Sequence, residues 1–148
     1  HRNHILDETI VPAPVSPVVA SEAERLAKLV TEELDVVGLL AVEMFVTAQG
    51  QVLINEVAPR PHNSGHWSLD ACVTSQFEQC VRAVAGVPLG SVERFGDARM
   101  KNLIGDEVQD WQKLLADPSA KLHLYGKAEA RPGRKMGHVT WLRPRRDA

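Results

Sequence analysis

The amino-acid sequence predicts an α+β fold: a mostly antiparallel sheet with packed helices, and a small β-rich part towards the C-terminal end. Three observations support this class. Two apolar, β-branched runs flank a short turn signal, as in a β-hairpin. Two segments with helical periodicity begin at capping signals. The strand-like and helix-like segments do not alternate regularly, which argues against the βαβ units of a parallel sheet.

The first predicted elements are an extended segment and a helix. Val11–Val19 carries three prolines, which lack N–H donors and disfavour helical backbone, so we expect this segment to be extended. Ser21 and Glu24 form a capping-box pattern, which predicts a helix that begins at Ser21. An apolar stripe predicts that this helix packs on a sheet. The stripe consists of Leu26, Leu29, Val30 and Leu34.

The next predicted element is a β-hairpin that carries two acidic residues. Its strands are Leu39–Val46 and Val52–Val57, and Gln49–Gly50 is a two-residue turn signal between them. Counting outward from that turn places Glu43 opposite Glu56. Facing carboxylates repel each other unless a cation lies between them, and Mg²⁺ is a hard cation that binds carboxylates together with phosphate oxygens. The alternative is that both acids face solvent on an outer sheet surface.

A polar loop from Ala58 to about Asp70 follows the hairpin and predicts an anion site. It holds a dense set of polar side chains and a glycine: Arg60, His62, Asn63, Ser64, Gly65 and His66. The Arg60 guanidinium supplies a bidentate fork, and backbone N–H groups supply a cradle for an anion. Zinc at His62 and His66 is a disfavoured alternative, because no cysteine or third histidine lies at metal-ligand spacing.

A second helix is predicted from about Ser75 to Ala85. Glu78 completes a capping box with Ser75, and Gly86 and Pro88 end the helix. Three apolar residues are expected to face inward: Phe77, Val81 and Val84.

The last part of the sequence predicts three strands, one short helix and a basic connection. The strands are Met100–Ile104, Leu122–Tyr125 and Met136–Leu142, and the helix is Val108–Leu115. The connection between the last two strands is rich in basic residues: Lys127, Arg131, Arg134, Lys135 and His138. These residues indicate a phosphate or carboxylate site, with a solvated basic hairpin as an equal alternative and nucleic-acid binding as a weaker one.

Composition argues against several classes of partner. With 44% hydrophobic residues, 24% charged residues and a net charge of −2, the sequence indicates neither a nucleic acid nor a membrane. No apolar run approaches the roughly 20 residues that a membrane-spanning helix needs. Cys72 and Cys80 lie about two helical turns apart, too far for a disulfide bond. We therefore expect reduced thiols in a cytoplasmic protein.

Three motifs, in order along the chain, resemble the 5-(carboxyamino)imidazole ribonucleotide synthase family of ATP-grasp enzymes. They are NEVAPRPHNSGHW at residues 55–67, TSQFE at residues 74–78 and RPGRKMGH at residues 131–138. The resemblance extends from His1 to about Thr140. It implies the C-terminal part of an ATP-grasp fold in residues 1–90 and a small β-rich subdomain in residues 91–148.

The resemblance also implies an activity and its ligands. Family members use ATP, Mg²⁺ and bicarbonate to form carboxyphosphate, and the carbon dioxide released from it carboxylates the amine of aminoimidazole ribonucleotide in purine biosynthesis. Glu43 and Glu56 match the metal-binding acids, and Asn55, Glu56 and His1 match nucleotide-binding positions. The matches to the bicarbonate and ribonucleotide site are His62, Asn63, Ser64, Lys127 and Arg134, with Arg60 and Lys135 as catalytic residues.

Two departures from the family pattern matter. Many ATP-grasp enzymes have an asparagine two residues after the second acid, where this chain has Ala58, so metal binding depends on Glu43, Glu56 and Asn55. The family's N-terminal half, with the lid over ATP, has no counterpart here. We therefore expect the C-terminal portion of a homodimeric enzyme, inactive alone. The alternative is a non-catalytic module that binds a phosphorylated ligand or a nucleotide.

Overall fold

The computed structural model describes residues 1–145, and the chain forms two compact units. The sheet unit comprises His1–Pro12, Trp67–Val73 and the chain from Val92 onward, whereas the hairpin unit comprises Ala13–His66 and Thr74–Ser91. Every strand pairing among the described residues is antiparallel, and helices accompany both sheets. The predicted α+β class is confirmed. The predicted division of the chain at residue 90 stays a prediction.

The helices of the described residues range from four to 17 residues, and the strands from four to nine. In chain order they are β1 (Glu8–Val11), α1 (Pro17–Glu33), β2 (Ala41–Val46), β3 (Val52–Ala58), α2 (Ser68–Ala71), α3 (Gln76–Val84), β4 (Asp97–Ile104), α4 (Trp111–Leu114), β5 (Ala120–Leu124) and β6 (Lys135–Arg143). Two 3₁₀ segments, Asn63–Gly65 and Gly105–Asp110, complete the list. Within residues 1–145, no helix has the length and apolar character needed to cross a bilayer.

The sheet unit contains a four-stranded sheet in the order β1-β4-β6-β5. The three strands predicted late in the sequence are confirmed as β4, β5 and β6, with ends that differ by a few residues. The predicted helix Val108–Leu115 is instead a 3₁₀ segment followed by the four-residue helix α4. The sequence patterns do not predict β1, which pairs with β4 immediately before the prolines.

The two faces of the four-stranded sheet bury different kinds of side chain. One face carries the apolar core, in which Leu103, Ala120 and Val139 pack against Val108, Leu114, Leu122 and Trp141. The 3₁₀ segment and α4 cover this face, because Val108 and Leu114 belong to them. The other face of β4 and β6 buries polar side chains beside Met100: Asn102, His138 and Thr140. Asn102 Nδ2 donates to the Leu6 carbonyl at 2.9 Å, and His138 Nδ1 lies 2.8 Å from the Tyr125 hydroxyl. The buried Thr140 hydroxyl has no hydrogen-bond partner among the described residues.

Helix α1 begins at Pro17 and not at the predicted Ser21. Ser16 is the N-cap, and its hydroxyl accepts a hydrogen bond from the Val19 N–H at 3.3 Å. Proline suits the first helical position because its fixed φ is already helical and its missing N–H would have had no partner there. The predicted extended segment therefore ends at Ser16.

The turn between β2 and β3 has three loop residues, so the predicted two-residue turn is wrong. The Thr47 N–H donates to the Gln51 carbonyl at 2.9 Å, and the Gly50 N–H donates to the Thr47 carbonyl at 2.9 Å. Gly50 has a φ of +80°, in the left-handed region that glycine adopts without strain. A hairpin with a three-residue loop commonly needs such a residue at its last loop position.

The facing of Glu43 and Glu56 is nevertheless confirmed. A regular ladder continued from the three-residue loop would place Asn55 opposite Glu43. The register instead shifts by one residue between Met44 and Glu43, and this β-bulge leaves Asn55 as the extra residue of β3. The extra residue in the turn and the extra residue at the bulge offset each other in the register, so Glu43 still faces Glu56.

Helix α3 is confirmed, with Ser75 as its N-cap accepting from the Glu78 N–H at 3.2 Å. The prediction that its apolar residues face inward is wrong. Val81 and Val84 are 68% and 71% exposed, and Phe77 is also exposed. A periodic pattern identifies an apolar face, but it does not show which surface covers that face.

Candidate active site

The facing acids lie at the bulge of the hairpin unit. Glu43 is half-buried on β2, and Glu56 is exposed on β3. The Asn55 amide Nδ2 donates to Glu43 Oε2 at 3.3 Å. Because a bulge adds one residue to one strand, it brings an amide and two carboxylates together on the hairpin surface.

His62 joins this group from the loop that follows β3. Its Nε2 lies 3.3 Å from Glu43 Oε1, and its side chain is only 12% exposed. The Ser64 N–H donates to His62 Nδ1 at 3.4 Å, and the Ser64 hydroxyl lies 2.8 Å from the same nitrogen. An accepting Nδ1 leaves the proton of the neutral ring on Nε2, the nitrogen that faces Glu43 Oε1.

Gln76 fixes the loop in place, and the sequence patterns assign it no role. Its Oε1 accepts from the His62 N–H at 2.9 Å, and its Nε2 donates to the His62 carbonyl at 2.8 Å. The Gln76 Nε2 also lies 2.8 Å from His66 Nδ1. A β-carbon at Gly65 would lie 2.7 Å from Gln76 Oε1, so only glycine permits this approach. The sequence feature that could have identified Gln76 is its position within the motif at residues 74–78.

The other predicted residues of the loop lie around this anchored segment. Asn63 and Ser64 are half-buried in the 3₁₀ segment, whose N-cap is His62. Arg60 is exposed, and its Nη1 donates to the Pro61 carbonyl at 3.1 Å. The loop therefore presents a guanidinium to solvent beside an ordered turn, which is a suitable arrangement for an anionic ligand.

The donor set of the hairpin unit fits a divalent cation. Glu43, Glu56 and His62 each offer one ligand atom, and these atoms lie within 4.8 Å of one another. Two carboxylates are the ligands of a hard cation such as Mg²⁺, whereas an added imidazole also suits transition metals. Among the described residues, His66 belongs to no such group. The pairing of His62 with His66 as zinc ligands therefore gains no support.

The basic connection between β5 and β6 forms a second candidate site, in the sheet unit. Lys127 Nζ donates to the Lys135 carbonyl at 2.6 Å, and Arg134 Nη1 donates to the Glu129 carbonyl at 3.3 Å. Arg131 instead pairs with the Glu129 carboxylate at 2.6 Å. Lys127, Arg134 and Lys135 are half-buried, and backbone carbonyls hold the side chains of Lys127 and Arg134. This arrangement suits recognition of an anionic group.

The structure divides the predicted site residues between the two units. The hairpin unit holds Glu43, Asn55, Glu56, Arg60, His62, Asn63 and Ser64. The sheet unit holds His1, Lys127, Arg134 and Lys135. Contacts join the acids, Asn55, His62 and Ser64 into one group, and Lys127 to Lys135 into another. His1 is exposed at the start of the sheet unit.

Two family profiles match the chain. Residues 1–77 match the ATP-grasp domain, and residues 98–148 match the phosphoribosylaminoimidazole carboxylase C-terminal domain. The first match contains the facing acids and the anion loop, and the second contains the basic connection.

Similar curated proteins are N5-carboxyaminoimidazole ribonucleotide synthases. The protein of Brucella melitensis is 51% identical over 145 residues, and that of Bacillus subtilis is 51% identical over 150 residues. These matches cover 98% and 99% of this chain but 40% and 39% of the two relatives. The chain thus spans well under half the length of the curated relatives it matches.

Solved structures of the same kind of enzyme share the fold. The ADP complex of an N5-carboxyaminoimidazole ribonucleotide synthetase matches with a TM-score of 0.92 and 47% identity, over 97% of this chain and 38% of that chain. The Aspergillus clavatus synthase in complex with ADP and 5-aminoimidazole ribonucleotide also has a TM-score of 0.92, with 35% identity, over 98% of this chain and 41% of that chain.

Proposed function

The chain belongs to the ATP-grasp family, in the branch of the N5-carboxyaminoimidazole ribonucleotide synthases, and from this membership we propose the activity of the whole protein. The protein uses ATP and bicarbonate to carboxylate the amine of aminoimidazole ribonucleotide. Bicarbonate attacks the γ-phosphorus of ATP, releasing ADP and forming carboxyphosphate. Carboxyphosphate then loses phosphate, and the ribonucleotide amine captures the carbon dioxide with loss of one proton.

The observation that carries this proposal is the group formed by Glu43, Glu56, Asn55 and His62. Transfer of a phosphoryl group depends mainly on positioning and on neutralising charge, and a pair of carboxylates beside an anion loop suits both needs. Mg²⁺ held by Glu43 and Glu56 would neutralise the charge of the nucleotide phosphates. Asn55 orients Glu43 through its amide, and it contacts the nucleotide together with Glu56 and His1.

The remaining predicted residues are proposed to bind the two other substrates. Arg60 and Lys135 are the catalytic residues, with their cations placed against bicarbonate and the carboxylated centre. The residues that hold the ribonucleotide are His62, Asn63, Ser64, Lys127 and Arg134. Fixed cations of this kind stabilise charge that develops in the transition state without costly reorganisation.

Further proposals concern the whole protein. We infer that it is a cytoplasmic homodimer and that it takes small-molecule substrates only. Residues 1–90 complete an ATP-grasp domain supplied in part by an N-terminal half, and residues 91–148 form a small substrate-binding subdomain. The relatives are more than twice as long as the matched segment, which supports an N-terminal partner for the hairpin unit.

The test is ADP release by the full-length protein with Mg²⁺, ATP, bicarbonate and aminoimidazole ribonucleotide. The double variant E43Q/E56Q keeps the size of both side chains but removes both charges. We expect it to lower kcat by about 100-fold or more, the scale of losing an electrostatic stabiliser. The matched control is E24Q, on the exposed surface of α1, which should leave the rate unchanged.

The competing function is a non-catalytic module that binds a phosphorylated ligand through the basic connection. Such a module would show no ribonucleotide-dependent ADP release, and E43Q/E56Q would leave its affinity for the phosphorylated ligand unchanged. That pair of results would refute the ligase proposal.

A further inference from the structure

Five side chains of the sheet unit form a continuous series that ends at Lys127. His123 Nε2 lies 3.0 and 3.1 Å from the two carboxylate oxygens of Asp70, on α2. The rings of His123 and His138 stack with centroids 4.5 Å apart and planes 14° apart. The Tyr125 hydroxyl lies 2.8 Å from His138 Nδ1, and the Lys127 ammonium lies 5.5 Å from the centre of the Tyr125 ring.

The antiparallel pairing of β5 with β6 explains why these side chains lie together. His123 and His138 are direct partners in the antiparallel ladder of β5 and β6, so their side chains share one face. Tyr125 lies two residues beyond His123 and keeps to the same face, because alternate residues of a strand point the same way. Its N–H donates to the Met136 carbonyl at 3.0 Å, which extends the ladder past the end of β5.

The series does not have the form of a metal site, although Asp70, His123 and His138 place ligand atoms within 4.8 Å of one another. The ligating lone pair of an imidazole nitrogen lies in the ring plane. Two stacked and nearly parallel rings aim these lone pairs side by side and not at one point. The two histidines therefore act as a rigid stack, with His138 only 1% exposed and His123 anchored to Asp70.

The consequence of the series is that the Lys127 ammonium is held before any ligand arrives. It donates to the Lys135 carbonyl at 2.6 Å and lies over the face of Tyr125, within the range of a cation–π interaction. The hydrogen bond to buried His138 fixes the tilt of the Tyr125 ring and so the face that it presents to Lys127. A lysine ordered in advance loses less conformational freedom when it binds an anion.

We propose that Tyr125 and His138 are positioning residues, which hold the Lys127 ammonium at the place where it meets the anionic part of the ribonucleotide. The inference rests on the proposed function for the role of Lys127 as a substrate-binding residue. The contacts that restrain the Lys127 ammonium lie within this chain, so their effect on the reactivity of Lys127 can be measured without enzyme turnover.

The first experiment measures the reactivity of individual lysines in the 148-residue chain. Limited acetylation followed by peptide mass spectrometry gives the rate for Lys127 and for Lys28, which is exposed on α1. We expect slower acetylation of Lys127, and Y125L should raise its rate about threefold or more, as loss of a cation–π contact would do. F95L, at an exposed aromatic residue of the same unit, should change neither rate. Equal rates for Lys127 in the parent chain and in Y125L would overturn the proposal.

The second experiment tests whether the holding matters for substrate, in the full-length protein. Y125L should raise KM for aminoimidazole ribonucleotide by up to about tenfold and leave KM for ATP unchanged, because a hydrogen bond to a charged group is worth at least that factor and a mobile Lys127 loses part of it. Y125F, which keeps the ring but loses the tether to His138, should fall between Y125L and the parent. H138N, which can keep a hydrogen-bond partner for Tyr125, should lie closer to the parent than H138L.

A double-mutant cycle separates positioning from a general structural role. If Tyr125 acts through Lys127, then Y125L should raise KM no further once K127M is present. Additive effects of Y125L and K127M would show that Tyr125 acts elsewhere and would refute the proposal. Absence of ribonucleotide-dependent turnover in the parent would refute the proposed function instead, and the acetylation rates alone would then decide whether Tyr125 holds Lys127.

Discussion

At the scale of single residues, two glutamines of α3 each form a reciprocal pair of hydrogen bonds with the backbone of a different segment. Gln76 makes a reciprocal pair of hydrogen bonds with the backbone of His62, at 2.9 and 2.8 Å. Gln79 makes a matching pair with the backbone of Gly90, at 2.9 and 2.7 Å. Only the first pair orders the loop that carries the candidate active site, so the two residues form a natural comparison.

We predict that Q76A lowers kcat/KM of the full-length protein by about tenfold or more, whereas Q79A leaves it within about twofold. Q79A loses two hydrogen bonds, and Q76A loses two hydrogen bonds and the contact of Gln76 Nε2 with His66 Nδ1. Each change should lower the free energy of unfolding by about 1–3 kcal/mol. Steady-state kinetics and thermal melting of both variants test this comparison. Equal kinetic losses in Q76A and Q79A would mean that stability, and not the position of His62, accounts for the effect.

The residue scale also shows the limit of reading side-chain contacts from sequence. The types and order of residues identify Arg60, His62, Asn63 and Ser64 as an anion loop. They do not predict that His62 reaches back to Glu43 at 3.3 Å, because that contact depends on the path of the loop after Pro61. A long-range contact of this kind becomes visible only when the backbone is known.

At the scale of elements, the β2–β3 hairpin confirms a pairing that was predicted from a wrong turn. A two-residue turn and a three-residue turn with one bulge give the same partner for Glu43. The two registers coincide from Glu43 away from the turn, and they differ by one residue between the turn and the bulge. The bulge leaves Asn55 as the extra residue of β3, where its amide contacts Glu43.

Helix α1 provides a test of how a start signal is chosen. Ser16 followed by Pro17 and Ser21 followed by Glu24 are both valid start patterns, and the chain uses the first. We predict that S16A lowers the free energy of unfolding of the 148-residue chain by about 1 kcal/mol, the usual value of an N-cap side chain. S21A, inside the helix, should be neutral or slightly stabilising because alanine favours helix. Urea denaturation of both variants measures the difference, and a larger loss in S21A would contradict the observed start.

At the scale of the whole molecule, apolar surface is exposed on several elements. In the hairpin unit, large side chains of both strands are exposed: Phe45, Val46, Leu53, Ile54 and Val57. Neighbouring residues of a strand point to opposite faces, so these side chains are exposed on both faces of the hairpin. A two-stranded sheet is at best marginally stable alone, and exposed apolar surface of this extent indicates that another part of the protein covers it. The periodic pattern of α3 identified its apolar face, but it does not show what covers that face, which is why Val81 and Val84 were wrongly expected to be buried. We expect the N-terminal half of the parent protein to cover part of this surface and to complete the ATP site.

ADP release by this chain with Mg²⁺, ATP, bicarbonate and aminoimidazole ribonucleotide, with and without the N-terminal half of the parent protein added in trans, tests whether the chain is one part of a carboxylating ligase. We predict no turnover by either part alone and ribonucleotide-dependent turnover on mixing, abolished by E43Q/E56Q. Absence of ribonucleotide-dependent ADP release on mixing, with the two parts shown to associate and to bind ATP, would contradict the ligase function. Turnover by the chain alone would contradict the claim that it is an incomplete part of the enzyme.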